Sequence, residues 1–163
     1  MDHDRLRADA GPGESEDGVR VLITGAAGFI GRHLVQALEQ SGHTVLGWDL
    51  PDQDITHSVE VPGSACMAFL QGLDPHLDAV VHLAAIASPA LANQDPAAAF
   101  LVNVQGTHNL LKVAVAAGAK RFVLASSAHL YSIPPLYLPT DERHPLSVFD
   151  TYTTSKLVGE HLC

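Results

Sequence analysis

Tyr152 and Lys156 stand four residues apart in Tyr152-Thr-Thr-Ser-Lys156, so on a helix they share one face. A phenol is a poor base near neutral pH, but a neighbouring ammonium group stabilises its phenolate form. Such a pair can give a proton to, or take one from, a hydroxyl or carbonyl oxygen. Far upstream, Gly25-x-x-Gly28-x-x-Gly31 follows the apolar run Val21-Leu-Ile23 and opens an amphipathic stretch. Glycines in that context permit a tight strand-to-helix turn and let the backbone approach a pyrophosphate at the helix N-terminus. A dinucleotide turn together with an acid/base pair points to hydride transfer at a carbon that bears oxygen.

Asp49 lies 18 residues past Gly31, at the end of the next apolar run. A carboxylate there accepts hydrogen bonds from ribose hydroxyls and repels a 2′-phosphate, which favours NAD over NADP. Arg32 pulls the other way, since a guanidinium near the turn could accommodate that phosphate. The ten histidines are dispersed, with His82 in an apolar run and His33 and His108 inside predicted helices, so no metal site is expected.

The elements that must position these groups alternate. Val21–Ile23, Thr44–Trp48, Ala79–Leu83 and Phe122–Ala125 read as buried strands, and residues 49–56 leave room for one very short strand more. Helices are predicted over Phe29–Gln40, with Ile30, Leu34, Ala37 and Leu38 on one face, over roughly 62–72, and from Asp150 or Thr151 onward. The clearest helix runs between Asp95-Pro96, a cap followed by a first-turn proline, and the stop at Gly118. Residues 131–149 hold Pro134, Pro135, Pro139 and Pro145, and form a loop of a length usually kept for function. Continuous apolar strands alternating with helices imply a doubly wound α/β domain with a parallel sheet.

The bulk properties agree. At 163 residues and 47% hydrophobic, the chain has room for one domain with a sizeable core. A net charge of −9 argues against nucleic acid or an anionic membrane as partner. Residues 1–18 carry six acidic residues against two arginines, and read as a disordered acidic tail rather than a targeting peptide. Two cysteines without ligand spacing make a disulfide framework improbable and the cytoplasm the default compartment.

Six motifs in order give the chain a family resemblance. It resembles the extended short-chain dehydrogenases/reductases of the NAD-dependent epimerase/dehydratase group. Thr24-Gly-Ala-Ala-Gly-Phe-Ile-Gly31 is similar to that group's glycine motif. Asp54-Ile55 resembles its adenine-contacting pair, and His82-Leu-Ala-Ala85 resembles the segment beneath the cofactor. Asn103 matches a structural asparagine, and Phe122-Val-Leu-Ala-Ser-Ser127 ends where the family keeps a catalytic Ser or Thr. Tyr152-x-x-x-Lys156 is the sixth. The resemblance implies Ser127, rather than Ser126, as the catalytic serine beside Tyr152 and Lys156. For the cofactor it implies contacts from Gly25, Gly28, Phe29, Ile30, Gly31, Asp49, Asp54, Ile55, Leu83, Ala84, Ala85, Asn103, Tyr152 and Lys156.

The resemblance also implies an NAD-dependent oxidoreductase or epimerase acting on a sugar, most simply a nucleotide-linked one. Ala128-His129 follow Ser127 where sugar 4,6-dehydratases have Asp-Glu, which disfavours elimination of water. Ser132 replaces the family's usual glycine after Tyr131, and Asp150 stands where a proline is common. Family members continue into further strands and a substrate lobe, so residues 19–163 are expected to be the Rossmann, NAD-binding part of such an enzyme, truncated before the last strands. Helices near 96–117 and 151–162 would form the interface of a homodimer. Two other readings stay open: a non-catalytic dinucleotide-binding module, and a truncated product inactive on its own.

Overall fold

A computed structural model describes residues 18–50, 54–58, 60–72, 76–131 and 134–163 of the chain. All but the last residue of the acidic tail, Pro51 and Ser132 lie outside the described residues.

Four short apolar runs form one parallel sheet: β1 (Arg20–Thr24), β2 (Thr44–Trp48), β3 (Ala79–His82) and β4 (Arg121–Leu124), in the order β2-β1-β3-β4. Leu22 pairs with Leu46 on one side and Val80 on the other, and Val80 with Phe122. Residues in line across the strands share a face, so Leu22, Leu46, Val80 and Phe122 meet α2 (Ala65–Leu70) and α5 (Thr107–Ala116) in the main core. Cys66, Leu110 and Val113 complete it from the helices, with Leu77 and Ile55 from the connections. On the opposite face α1 (Phe29–Gln40) packs against β1 and β2. Val21 and Ile23 are buried beneath it, whereas Val123 on β4 is 52% exposed. Helices on both faces of a parallel sheet make the domain doubly wound, as the alternating pattern implies.

Three helices differ from expectation. The helix read as 62–72 is the shorter α2, started by Ser64, whose Oγ accepts from Met67 N at 3.1 Å. A helix not foreseen, α3 (Pro89–Gln94), starts at Ser88-Pro89. The long helix after Asp95 is real but interrupted: α4 (Pro96–Phe100) leads into a π-helical segment at Leu101–Gly106, and α5 follows. Within that segment the Asn103 carboxamide bonds the Ile86 backbone rather than lying along the helix. No strand forms at residues 49–50 or 54–56, the described parts of the stretch that could have held one. Among the described residues before the last helix, the backbone regularises at a short 3-10 turn, Ala128–Leu130, and an antiparallel bridge of Tyr131 with Leu146. The last helix, α6 (Thr151–Leu162), packs on α3, α4 and the π-helical segment. Among the described residues no helix is long and apolar enough to cross a membrane.

Candidate active site

The strand order reverses between β1 and β3, and the crevice beyond the carboxyl ends of such strands is where open α/β sheets bind ligands. A cavity of about 900 Å³ opens there. Its first wall is the glycine turn. Gly25 has φ +71°, and its N–H and that of Ala26 are held by Trp48 O at 2.9 and 3.3 Å. A Cβ at Gly25 would lie 2.8 Å from Ala84 N, so turn and floor touch through backbone alone. At buried Gly31 a Cβ would collide with Gly25 O. Gly28 caps α1 without a side-chain bond, and Phe29 and Ile30 follow on the cavity wall. The first amides of a 12-residue helix thus open toward the cavity, a favourable setting for a pyrophosphate.

Asp49 stands at the carboxyl end of β2 and is held by backbone: Ala27 N donates to Oδ2 at 2.7 Å and Leu50 N to Oδ1 at 2.9 Å. Its carboxylate is therefore oriented at the cavity wall before any ribose arrives. The Arg32 guanidinium lies over the Phe29 ring, 5.3 Å from its centroid, and does not line the cavity. Asp54 accepts from Thr56 N at 2.8 Å, and that backbone bond, with the Thr56 hydroxyl, holds its carboxyl below the usual range. Ile55 is buried against Gly106 and its carbonyl accepts from Asn109 Nδ2 at 2.9 Å.

Leu83, Ala84 and Ala85 form the floor. Asn103 lies beneath it rather than in the wall. Its Oδ1 accepts from Ile86 N at 2.8 Å, and its Nδ2 donates to Ile86 O at 3.2 Å and Ser155 Oγ at 2.9 Å.

The opposite wall is α6. Asp150 caps it, Oδ1 accepting from Thr153 N at 2.7 Å while Thr153 Oγ1 bonds back to Asp150 N at 3.3 Å. That box fixes the first turn, and Tyr152 and Lys156 both line the cavity at 6% exposure. Lys156 Nζ donates to Ala125 O at 2.9 Å, and burial pushes its ammonium below the ordinary lysine value. An ammonium has three N–H groups. Among the described residues Lys156 makes that one bond, so two donors remain for a ligand.

Ser127, like Asn103, does not line the cavity. Its Oγ accepts from His129 N at 3.2 Å, capping the 3-10 turn, and Ser126 rather than Ser127 reaches the cavity wall. The Ser126 hydroxyl donates to the Glu160 carboxylate. The cavity also takes Thr24, Trp48 and Ala125, which are not among the expected cofactor contacts. Each ends or follows a strand, so the rule of strand carboxyl ends would have found them. Leu101 and Val102, on the π-helical segment, carry no comparable signal.

The model of the NAD dependent epimerase/dehydratase family matches residues 21–163. The chain belongs to this family. UDP-glucose 4-epimerase of Mycolicibacterium smegmatis is 37% identical over 155 residues, covering 87% of this chain and 49% of that protein. A short-chain dehydrogenase/reductase superfamily protein of Agrobacterium tumefaciens, solved with bound NAD, is 42% identical. It matches with a TM-score of 0.70 over 88% of this chain and 43% of that one. UDP-glucose 4-epimerase of Brucella ovis in complex with NAD matches at 26% identity and a TM-score of 0.76, over 89% and 46% of the two chains. This family member spans less than half the length of the curated relatives it matches.

Proposed function

We propose that this chain binds NAD in the cavity and supplies the acid/base pair of an oxidoreductase or epimerase acting on a nucleotide-linked sugar. One observation carries the reading: Tyr152 and Lys156 line the same cavity as the glycine turn, from opposite walls. The residues fit the dinucleotide. The helix amides after Gly28 suit its pyrophosphate, Asp49 its adenosine ribose, and the two open donors of Lys156 its nicotinamide ribose. The family's solved relatives from Agrobacterium and Brucella hold NAD. The backbone-held Asp49 and the withdrawn Arg32 favour NAD over NADP.

NAD bound there supplies a hydride acceptor. Tyr152 then takes the proton of the sugar hydroxyl as its carbon is oxidised, and returns it when the carbonyl is reduced. Lys156 holds positive charge in the same wall, which stabilises the phenolate form during the exchange. Ser127 keeps its hydroxyl proton uncommitted among the described residues, since its bond to His129 N uses a lone pair. To donate to the reacting oxygen it would have to turn into the cavity, whose wall Ser126 occupies in its place.

Calorimetric titration of the 163-residue chain with NAD and NADP tests the cofactor, with tighter binding of NAD expected. For the chemistry, turnover of UDP-glucose by protein carrying this chain is compared before and after Tyr152→Phe. The expected fall in kcat is about 10²–10⁴-fold with NAD affinity unchanged. Unchanged turnover removes Tyr152 from the mechanism, and NAD binding by a wild type that turns over no sugar makes the chain a dinucleotide-binding module.

A further inference from the structure

His82 ends β3 just before the cavity floor, is 2% exposed, and has no part in the acid/base chemistry. Its hydrogen bonds can be oriented one by one. Thr107 Oγ1 donates to Asn103 O at 2.6 Å, so its proton is used. It therefore meets His82 Nε2, 3.0 Å away, as an acceptor, and Nε2 carries the ring's hydrogen. His82 Nδ1 is then a bare lone pair, and Thr24 Oγ1 donates to it at 2.7 Å. The Thr24 oxygen in turn accepts from Ala84 N at 3.3 Å. One directed chain results: from the Ala84 amide through Thr24 to one side of the imidazole, and from its other side through Thr107 to the π-helical segment.

Two facts distinguish this chain from ordinary core filling. The Ala84 amide lies beyond the end of β3, where no neighbouring strand takes it, so the Thr24 hydroxyl is its partner among the described residues. Ala84 N is also the atom that a Cβ on Gly25 would strike, which leaves no slack between floor and glycine turn. Burial, and then the charge of Lys156, push the imidazole down to about 3, so the neutral ring that the chain requires persists across the physiological range.

We propose that His82 is a positioning residue for the dinucleotide: through Nδ1 it holds the Thr24 hydroxyl, and through that hydroxyl it fixes the floor Leu83–Ala85 against the glycine turn. The proposal rests on the reading that NAD occupies the cavity. Asparagine places an acceptor oxygen where Nδ1 stands, whereas glutamine places its amide where Nε2 stands. His82→Asn therefore keeps the Thr24 side of the chain and His82→Gln keeps only the Thr107 side.

The test uses the 163-residue chain, with imidazole ¹⁵N shifts, amide hydrogen exchange of Ala84 without ligand, and calorimetry with NAD. Wild type is expected to show the Nε2–H tautomer. His82→Leu, His82→Gln and the milder Thr24→Val should each speed Ala84 exchange and weaken NAD binding by about tenfold or more. His82→Asn should restore both. Glutamine restoring as well as asparagine, or Thr24→Val leaving Ala84 protected and NAD affinity intact, would overturn the proposal, and so would the opposite tautomer. If wild type fails to bind NAD, the cofactor reading falls, and Ala84 exchange in the same variants still decides whether His82 holds the floor.

Discussion

Replacing Gly25 by alanine adds one methyl group where the glycine turn meets the cavity floor, and Gly42 offers a matched control. Both residues have positive φ, +71° and +83°. An alanine forced into that region costs about 1–2 kcal/mol wherever it occurs. At Gly42 the new methyl meets nothing within 4 Å, so Gly42→Ala should lose that amount alone. At Gly25 the Cβ would stand 2.8 Å from Ala84 N and 3.0 Å from the Leu83 carbonyl carbon, both backbone atoms that cannot rotate away. Ordinary contact distances require one side to retreat by roughly 0.5–1 Å. Overpacking of that kind costs about 1–3 kcal/mol beyond the conformational term. Trp48 is the single tryptophan, buried at the end of β2, so its fluorescence reports urea unfolding of each variant. Calorimetry with NAD adds the second readout. Gly25→Ala should unfold at lower urea than Gly42→Ala and lose NAD affinity, while Gly42→Ala binds as wild type. Equal destabilisation of the two variants with equal NAD affinity would refute the close-contact argument.

The geometry sets three further outcomes. His82 has a folded-state pKa of about 3 against 6.5 when unfolded, so its contribution is complete above pH 6.5 and is lost as pH falls toward 3. Between pH 7.5 and 5 that share is about 2 kcal/mol, read as a pH-dependent gap between the urea midpoints of wild type and His82→Asn; parallel curves would exclude it. Asp150→Ala removes the acceptor of the α6 cap and should cost about 1–2 kcal/mol in the same unfolding assay, with no loss if the capping box is idle. Cys66 is wholly buried and its thiol is pushed up to about 11, so a thiol reagent at pH 8 should modify exposed Cys163 and reach Cys66 only on unfolding. Equal rates at the two cysteines would show that the core opens readily.

The parts of the fold legible in the sequence are those whose causes are local. Asp95-Pro96 and Asp150 start helices as read, each carboxylate taking the amide three residues on. Ser88-Pro89 carries the same signature, but α3 is too short for any periodicity to announce it. No local signal marks the π-helical segment, and the partners of its Asn103, Ile86 and Ser155, lie 17 and 52 residues away. Ile30 shows the limit of periodicity in another way. Its spacing places it with Leu34 and Leu38 on an apolar face, yet it is 63% exposed and lines the cavity instead of the core. The glycine turn, Asp49 and the Tyr152–Lys156 pair were readable because turn chemistry and helical spacing fix them within a few residues. Which of Ser126 and Ser127 faces the cavity depends on how the chain leaves β4, and that is set by the 3-10 turn and its packing.

The π-helical segment between α4 and α5 also constrains how this chain can change its length. A π-helical turn holds one residue more than an α-helical one, so loss of one residue among 101–106 would let the segment revert to α-helix with the face of α5 nearly unturned. Thr107, Leu110 and Val113 would keep their places on the sheet, while Asn103 would be drawn off Ile86 and Ser155. A codon deletion within α5 would turn its core face by about 100°, whereas one within 101–106 would spare the core and unseat the cavity floor. The stretch 101–106 should therefore tolerate the loss of one residue in folding better than α5 does.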